Sequence, residues 1–135
     1  MSRRGLQVVN LGLALLTVAL AGASLAFGVA SPIYGQESLS DSPALDSNLR
    51  FMGGVGVGLG VALVWITPKI EQHTTVFRVV WLCALAGGLG RLISAAFVGV
   101  PPLPMLILTI IEVLGVPLLL IWQSRVASSS RNDMS

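Results

Sequence analysis

Cysteine and histidine each occur once, at Cys83 and His73, and only 10% of the 135 residues carry a charge, against about 25% in an ordinary soluble domain. One thiol and one imidazole exclude a disulfide framework, a zinc site and two-histidine haem ligation, because each of these needs several ligands at defined spacings. No metal or other cofactor is expected. Eight Lys and Arg against six acids leave a net charge of +2, with the cations too scattered for a nucleic-acid-binding stripe. Hydrophobic residues make up 54% of the chain and the mean hydropathy is +0.86, values that belong to a protein solvated by lipid.

Four apolar stretches approach the roughly 20 residues needed to cross hydrocarbon, at about 6–33, 51–67, 77–100 and 103–122. The connections are too short for a soluble domain. The longest, 34–49, is rich in Ser, Asp, Asn, Gly and Pro, which favour turns; the third is Val100-Pro101-Pro102-Leu103-Pro104, a sharp reversal. The expectation is an all-α, integral membrane up-down bundle of four transmembrane helices filling a single domain, 1–135, with a polar tail at 123–135. Arg3, Arg4, Lys69, Arg78, Arg125 and Arg131 fall on one side of such a bundle and only Arg50 on the other, which predicts cytoplasmic N- and C-termini in a bacterial inner membrane or its equivalent. Trp65, Trp81 and Trp122 are expected at headgroup depth on the cytoplasmic side, with Tyr34 at the opposite face. The opening Ser2-Arg3-Arg4 with Gly28 to Ala30 imitates an export signal, but the apolar stretch exceeds the roughly 7 to 15 residues of a signal core, so it reads as a retained anchor.

Helices in lipid associate through close backbone approach and buried polar contacts. Small-xxx-small pairs at Gly54/Gly58 and Gly56/Gly60 in the second span, and at Ala84/Gly88 and Ala86/Gly90 in the third beside Gly87, are therefore expected to pack helices within the bundle or between copies. The first span adds Ala19/Ala23 and Ser24/Gly28. The run from Gly54 to Gly60 is no phosphate loop, because it lies within an apolar span and lacks the Lys and the Ser or Thr of that motif.

Two charges stand where lipid disfavours them by about 2.5 to 3.5 kcal/mol each, Arg91 and Glu112. Arg91 lies eight residues before Gly99 and Glu112 eight residues after Pro104, so both sit about 12 Å below the same surface. The tight reversal between their spans predicts an ion pair. Ser94 and Thr109, each three residues from one charge, are candidates to satisfy its remaining hydrogen-bonding groups, and Pro117 frees the carbonyl of Val113 and predicts a bend there. Asp46 and Asn48 are expected to cap the outer end of the second helix through an Asp46–Arg50 contact; an inward-turned Arg50 would instead set two cations against Glu112 and favour an anionic ligand. Asn10 reads as a helix–helix hydrogen bond, His73 as a solvated loop residue and Cys83 as a small filler.

The segments Asn48-Leu49-Arg50-Phe51-Met52-Gly53-Gly54, Gly58-Leu59-Gly60, Gly87-Gly88-Leu89-Gly90-Arg91-Leu92-Ile93-Ser94 and Gly99-Val100-Pro101, with Glu112 downstream, resemble the domain of unknown function 4345 family, small four-helix membrane proteins of bacteria, over nearly the whole chain. That family is distantly similar to the DoxX-like group, some of which are associated with quinone-linked or thiol redox systems. The resemblance implies a four-helix fold with a polar core and supplies no reaction, and the Cys-x-x-Cys that thiol redox would use is missing. The expected function is a non-enzymatic accessory or scaffold subunit that packs against lipid, its own copy as a homo-oligomer, or a larger membrane protein complex. The alternatives are a small-molecule, proton or ion site built on Arg91 and Glu112 and opening outward, and a quinone-linked membrane redox component.

Overall fold

The computed structural model describes residues 2–34 and 42–132; residue 1, residues 35–41 of the polar segment between the first two spans, and the last three residues lie outside the described part. Within it the chain is all helical. Four helical segments are long and apolar enough to cross a membrane, Arg3–Ala30, Pro43–Lys69, Thr74–Phe97 and Leu103–Ser129.

Helix α1, Arg3–Phe27, starts on Ser2, whose hydroxyl accepts the Gly5 amide at 3.1 Å, and ends at Gly28, where φ is +55°. Two short 3₁₀ turns, Gly28–Ala30 and Pro32–Tyr34, follow. Helix α2, Pro43–Ile66, begins eight residues before the expected span, because Ser42 followed by Pro43 makes a good helix start even though the residues beyond it are polar. A 3₁₀ turn, Thr67–Lys69, leads to α3, Thr74–Phe97, and the Pro101–Pro102 reversal leads to α4, Leu103–Ile110. Just ahead of Pro117 the fourth span widens into a π turn at Ile111–Gly115 and continues as α5, Val116–Asn132. Pro117 has no N–H for Val113 and crowds its carbonyl, and a turn of wider bonding just ahead of the ring relieves that conflict.

Helices α1 and α2 form a tight pair. A methyl group at Gly53 would stand 2.5 Å from the Leu25 nitrogen and 2.7 Å from the Ala21 oxygen; one at Gly56 would meet Ala21 Cβ at 2.7 Å, and one at Gly60 would meet Val18 Cγ2 at 2.6 Å. The seam is thus Gly53, Gly56 and Gly60. Of the expected pairs, Gly56/Gly60 lies on it; Gly58 has nothing within 4 Å and Gly54 only a Leu25 methyl at 3.8 Å, so Gly54/Gly58 faces away. In α3, Gly88 receives the Glu112 side chain, a methyl there standing 2.7 Å from Glu112 Cβ, whereas Gly87 and Gly90 contact nothing within 4 Å.

The two hairpins meet chiefly at the end that carries both termini. Leu6, Leu63, Ile66, Ile70, Phe77 and Val116 are fully buried there, and Asn10 and Gln123 are buried polar ties. Asn10 Nδ2 donates to the Leu63 carbonyl at 3.2 Å and to Thr67 Oγ1 at 2.8 Å, and Gln123 Nε2 donates to the Ile70 carbonyl at 3.3 Å and to Thr74 Oγ1 at 2.8 Å. Gly5 allows α1 to approach the Trp122 ring. Beyond that end a cavity separates the hairpins, and farther out the Pro32–Tyr34 turn again touches α4.

Candidate functional site

Where the hairpins part, a cavity of about 300 Å³ lies between them. Its floor is Leu13, Leu63, Val80 and Trp81; Ser24, Tyr34 and Met52 stand toward the opposite end; Arg91 and Glu112 line it from α3 and the π turn. A second, apolar groove of about 430 Å³ runs between α1 and α4 along Pro32, Pro104 and Ile107. The two share Leu16, Leu20, Ile33, Leu108 and Ile111, so the groove adjoins the cavity across those side chains.

Arg91 and Glu112 are brought together across the antiparallel pair, as their equal depth predicts. Arg91 Nη2 lies 3.7 Å from Glu112 Oε1, an ion-pair distance that is too long for a hydrogen bond. Arg91 Nη1 and Glu112 Oε2 are buried and have no hydrogen-bond partner among the described residues. A guanidinium donor and a carboxylate acceptor thus share the cavity wall, electrically balanced but short of hydrogen bonds. Ser31 Oγ, Trp122 Nε1 and Gln123 Oε1 are in the same condition elsewhere in the bundle, and each such group costs about 1–3 kcal/mol unless it finds a partner.

The expected helpers are elsewhere. Thr109 is 3% exposed, but its hydroxyl donates to the Met105 carbonyl at 2.9 Å one turn back, the usual local outlet for a helical threonine. Ser94 is exposed and reaches neither charge.

Arg50 does not turn toward Glu112. Its Nε donates to Asp46 Oδ2 at 2.7 Å and its Nη1 donates to the carbonyls of Leu25 at 3.0 Å and Ala26 at 2.7 Å. Asp46 Oδ1 accepts the Val29 amide at 3.1 Å. The Asp46–Arg50 contact forms as expected, yet it fastens the last turn of α1 to α2 instead of capping α2, whose N-cap is Ser42. A cation on the terminal carbonyls of α1 also meets the negative end of that helix dipole. Any side chain at Gly28 would run into Asp46, which fixes glycine at that positive-φ position. Asn48 is exposed within the second turn of α2 and caps nothing.

Three residues read otherwise from the sequence complete the site. Trp81 is 4% exposed, and its Nε1 donates to Asn10 Oδ1 at 3.2 Å; it belongs to the cavity floor, not to a headgroup belt. Trp65, by contrast, is 67% exposed and lies 5.0 Å from the His73 ring. Tyr34 folds back so that its hydroxyl shares a 2.6 Å hydrogen bond with Ser24, which is 5% exposed. A signal was available for Trp81: Asn10, buried in an apolar span, needs partners from other helices, and an indole N–H is a suitable one. Cys83 is exposed and borders the cavity, more than a filler of the core.

The family profile described as "Domain of unknown function (DUF4345)" matches residues 5–123, and the chain belongs to that family. No curated protein and no solved structure matches the chain.

Proposed function

We propose that this member of the DUF4345 family is a multi-pass membrane protein that binds a small lipophilic molecule between its two helical hairpins, without carrying out a reaction on it. The observation that carries this reading is the cavity itself: about 300 Å³, walled largely by aliphatic side chains, with a guanidinium and a carboxylate on its lining that stand 3.7 Å apart, too far to hydrogen-bond each other. Sites for small molecules have that composition, a mostly apolar lining with a few converging polar groups, and 300 Å³ is at the small end of their range. The cations gathered at the closed end support placing both termini in the cytoplasm, so that the cavity lies in the outer half of the bilayer.

Native mass spectrometry of the protein released from lipid nanodiscs tests this reading. A retained stoichiometric amphiphile that disappears when Leu108→Trp fills the shared wall of cavity and groove is the expected result; a bare protein, or retention indifferent to Leu108→Trp, would overturn it.

The accessory-subunit reading stays as a second proposal, favoured by one observation. Gly58 on α2, and Gly87 and Gly90 on α3, have no neighbour within 4 Å, so each leaves its helix open to close approach by another. A second copy of this chain, or a larger membrane complex, would meet the bundle there.

A further inference from the structure

We infer that the ligand of the cavity is an uncharged amphiphile whose head both donates and accepts a hydrogen bond, a hydroxyl being the simplest such group, and whose chain leaves through the groove between α1 and α4. This rests on the binding reading above and names the ligand's class.

The charge balance comes first. Among the cavity-lining residues the formal charges are Arg91 and Glu112, one of each sign and 3.7 Å apart. Arg50, the expected surplus cation, is held by Asp46 and by two α1 carbonyls. An anionic head would gain Arg91 but would be set against the Glu112 carboxylate, and a cationic head would meet the converse conflict. In a low-dielectric site either repulsion is felt strongly, so net neutrality of the wall selects net neutrality of the guest.

The hydrogen-bond inventory comes second. Arg91 Nη2 and Glu112 Oε1 stand 3.7 Å apart, too far to hydrogen-bond each other, and the two side chains keep part of their surface accessible, so Nη2 can donate to a guest and Oε1 can accept from it. Guanidinium offers no acceptor and carboxylate no donor, so an ether, ester or ketone head would satisfy only Arg91. A hydroxyl answers both, its oxygen accepting from Arg91 while its proton goes to Glu112. Water could do the same at the pair, but the adjoining groove along Leu16, Leu20, Pro104 and Ile107 offers it nothing to bond to. A hydrocarbon chain fits that part. Its volume of about 430 Å³ accommodates an alkyl segment, and its lateral position lets the chain remain in contact with lipid while the head is held.

The test uses the full chain carrying Trp65→Phe and Trp122→Phe in phosphatidylcholine nanodiscs, which leaves Trp81, at the cavity floor, as the sole tryptophan. The probes are three dibrominated ten-carbon quenchers with identical chains, an alcohol, its methyl ether and the carboxylate at alkaline pH. Quenching of Trp81 is read above the linear background of partition into the lipid. The expected result is saturable quenching by the alcohol, displaced by unbrominated decanol, with the ether and the carboxylate each at least about tenfold weaker, in line with one lost charge-assisted hydrogen bond. Replacing the pair together, Arg91→Met with Glu112→Met, is expected to erase the preference for alcohol over ether; a preference that persists would overturn the assignment of the head to this pair. Equal binding of ether and alcohol overturns the donor requirement, and tighter binding of carboxylate overturns the neutrality argument, while both leave the cavity as a binding site. No saturable quenching by any of the three removes the binding reading and the inference together. Should the double variant fail to fold, the three-way comparison on the unaltered pair decides the matter alone.

Discussion

The indole N–H of Trp81 points at the amide oxygen of Asn10 across the bundle, at 3.2 Å, and both side chains are buried. Asn10 simultaneously gives its own N–H groups to Leu63 and Thr67, so α1, α2 and α3 are joined through one side chain. This knot is where the hairpins stop being separate, and it sets the depth at which the cavity begins. Asn10→Leu, close in volume, strands the Trp81 donor and is expected to cost on the order of 1–3 kcal/mol. In the single-tryptophan background, a blue shift of Trp81 emission together with a lowered melting temperature checks it; an unchanged spectrum would mean the hydrogen bond does not form.

The Arg91–Glu112 pair predicts an asymmetry between single and double replacements. Arg91→Met or Glu112→Met alone leaves an unbalanced charge within the spans and is expected to destabilise by roughly 2–4 kcal/mol, whereas the double replacement, which removes both charges, is expected to cost much less. Thermal unfolding in a mild detergent, followed by circular dichroism, measures the cycle. Additive losses would show that the two side chains do not interact.

The glycines sort into two classes by what a methyl group would strike. Gly53→Ala drives into the Leu25 and Ala21 backbone, which cannot step aside as a flexible side chain can, and a loss of about 1–3 kcal/mol is expected from forcing α1 and α2 apart. Gly58→Ala meets no atom of its own chain and should be neutral or slightly stabilising through the helix preference for alanine. Gly58→Leu separates the two proposals: if a second copy docks on that face, crosslinking in native membranes falls while the monomer's melting temperature is kept.

At the far end, Asp46→Ala removes the acceptor of the Val29 amide and releases Arg50 from its orienting partner. An ion pair as solvent-accessible as this one contributes little, so global stability should scarcely change. Hydrogen exchange of the Val29 amide should accelerate while the amides around Asn10 keep their protection. Uniform acceleration along α1 would instead assign the clamp a global role.

Much of the helical layout was legible because lipid imposes one simple demand, a long apolar run for each crossing, and the level placement of Arg91 and Glu112 followed from counting 1.5 Å steps from a proline-marked reversal. Faces were harder to read. Gly54/Gly58 and Gly56/Gly60 have identical spacing, and only the position of α1 decides which pair is covered. The first two turns of α2 are hard to read because Asp46, Ser47 and Asn48 are commoner in loops, and the start signal Ser42-Pro43 lies within a polar stretch. Ser94 and Thr109 showed the limit of spacing as evidence: three residues from a charge is near in sequence, yet one hydroxyl had a carbonyl of its own helix to satisfy it and the other faced outward. The return of Tyr34 onto Ser24 depends on two 3₁₀ turns that no periodicity announces.

The knot at Asn10 and the Gln123 contacts close the bundle below the cavity, and the breach between α1 and α4 opens to its side. A molecule held against Arg91 would therefore come and go through a single leaflet, the one farther from the two termini. The protein would act as a cup dipped into that monolayer, and swings in the lipid make-up of the opposite monolayer would leave its occupancy untouched.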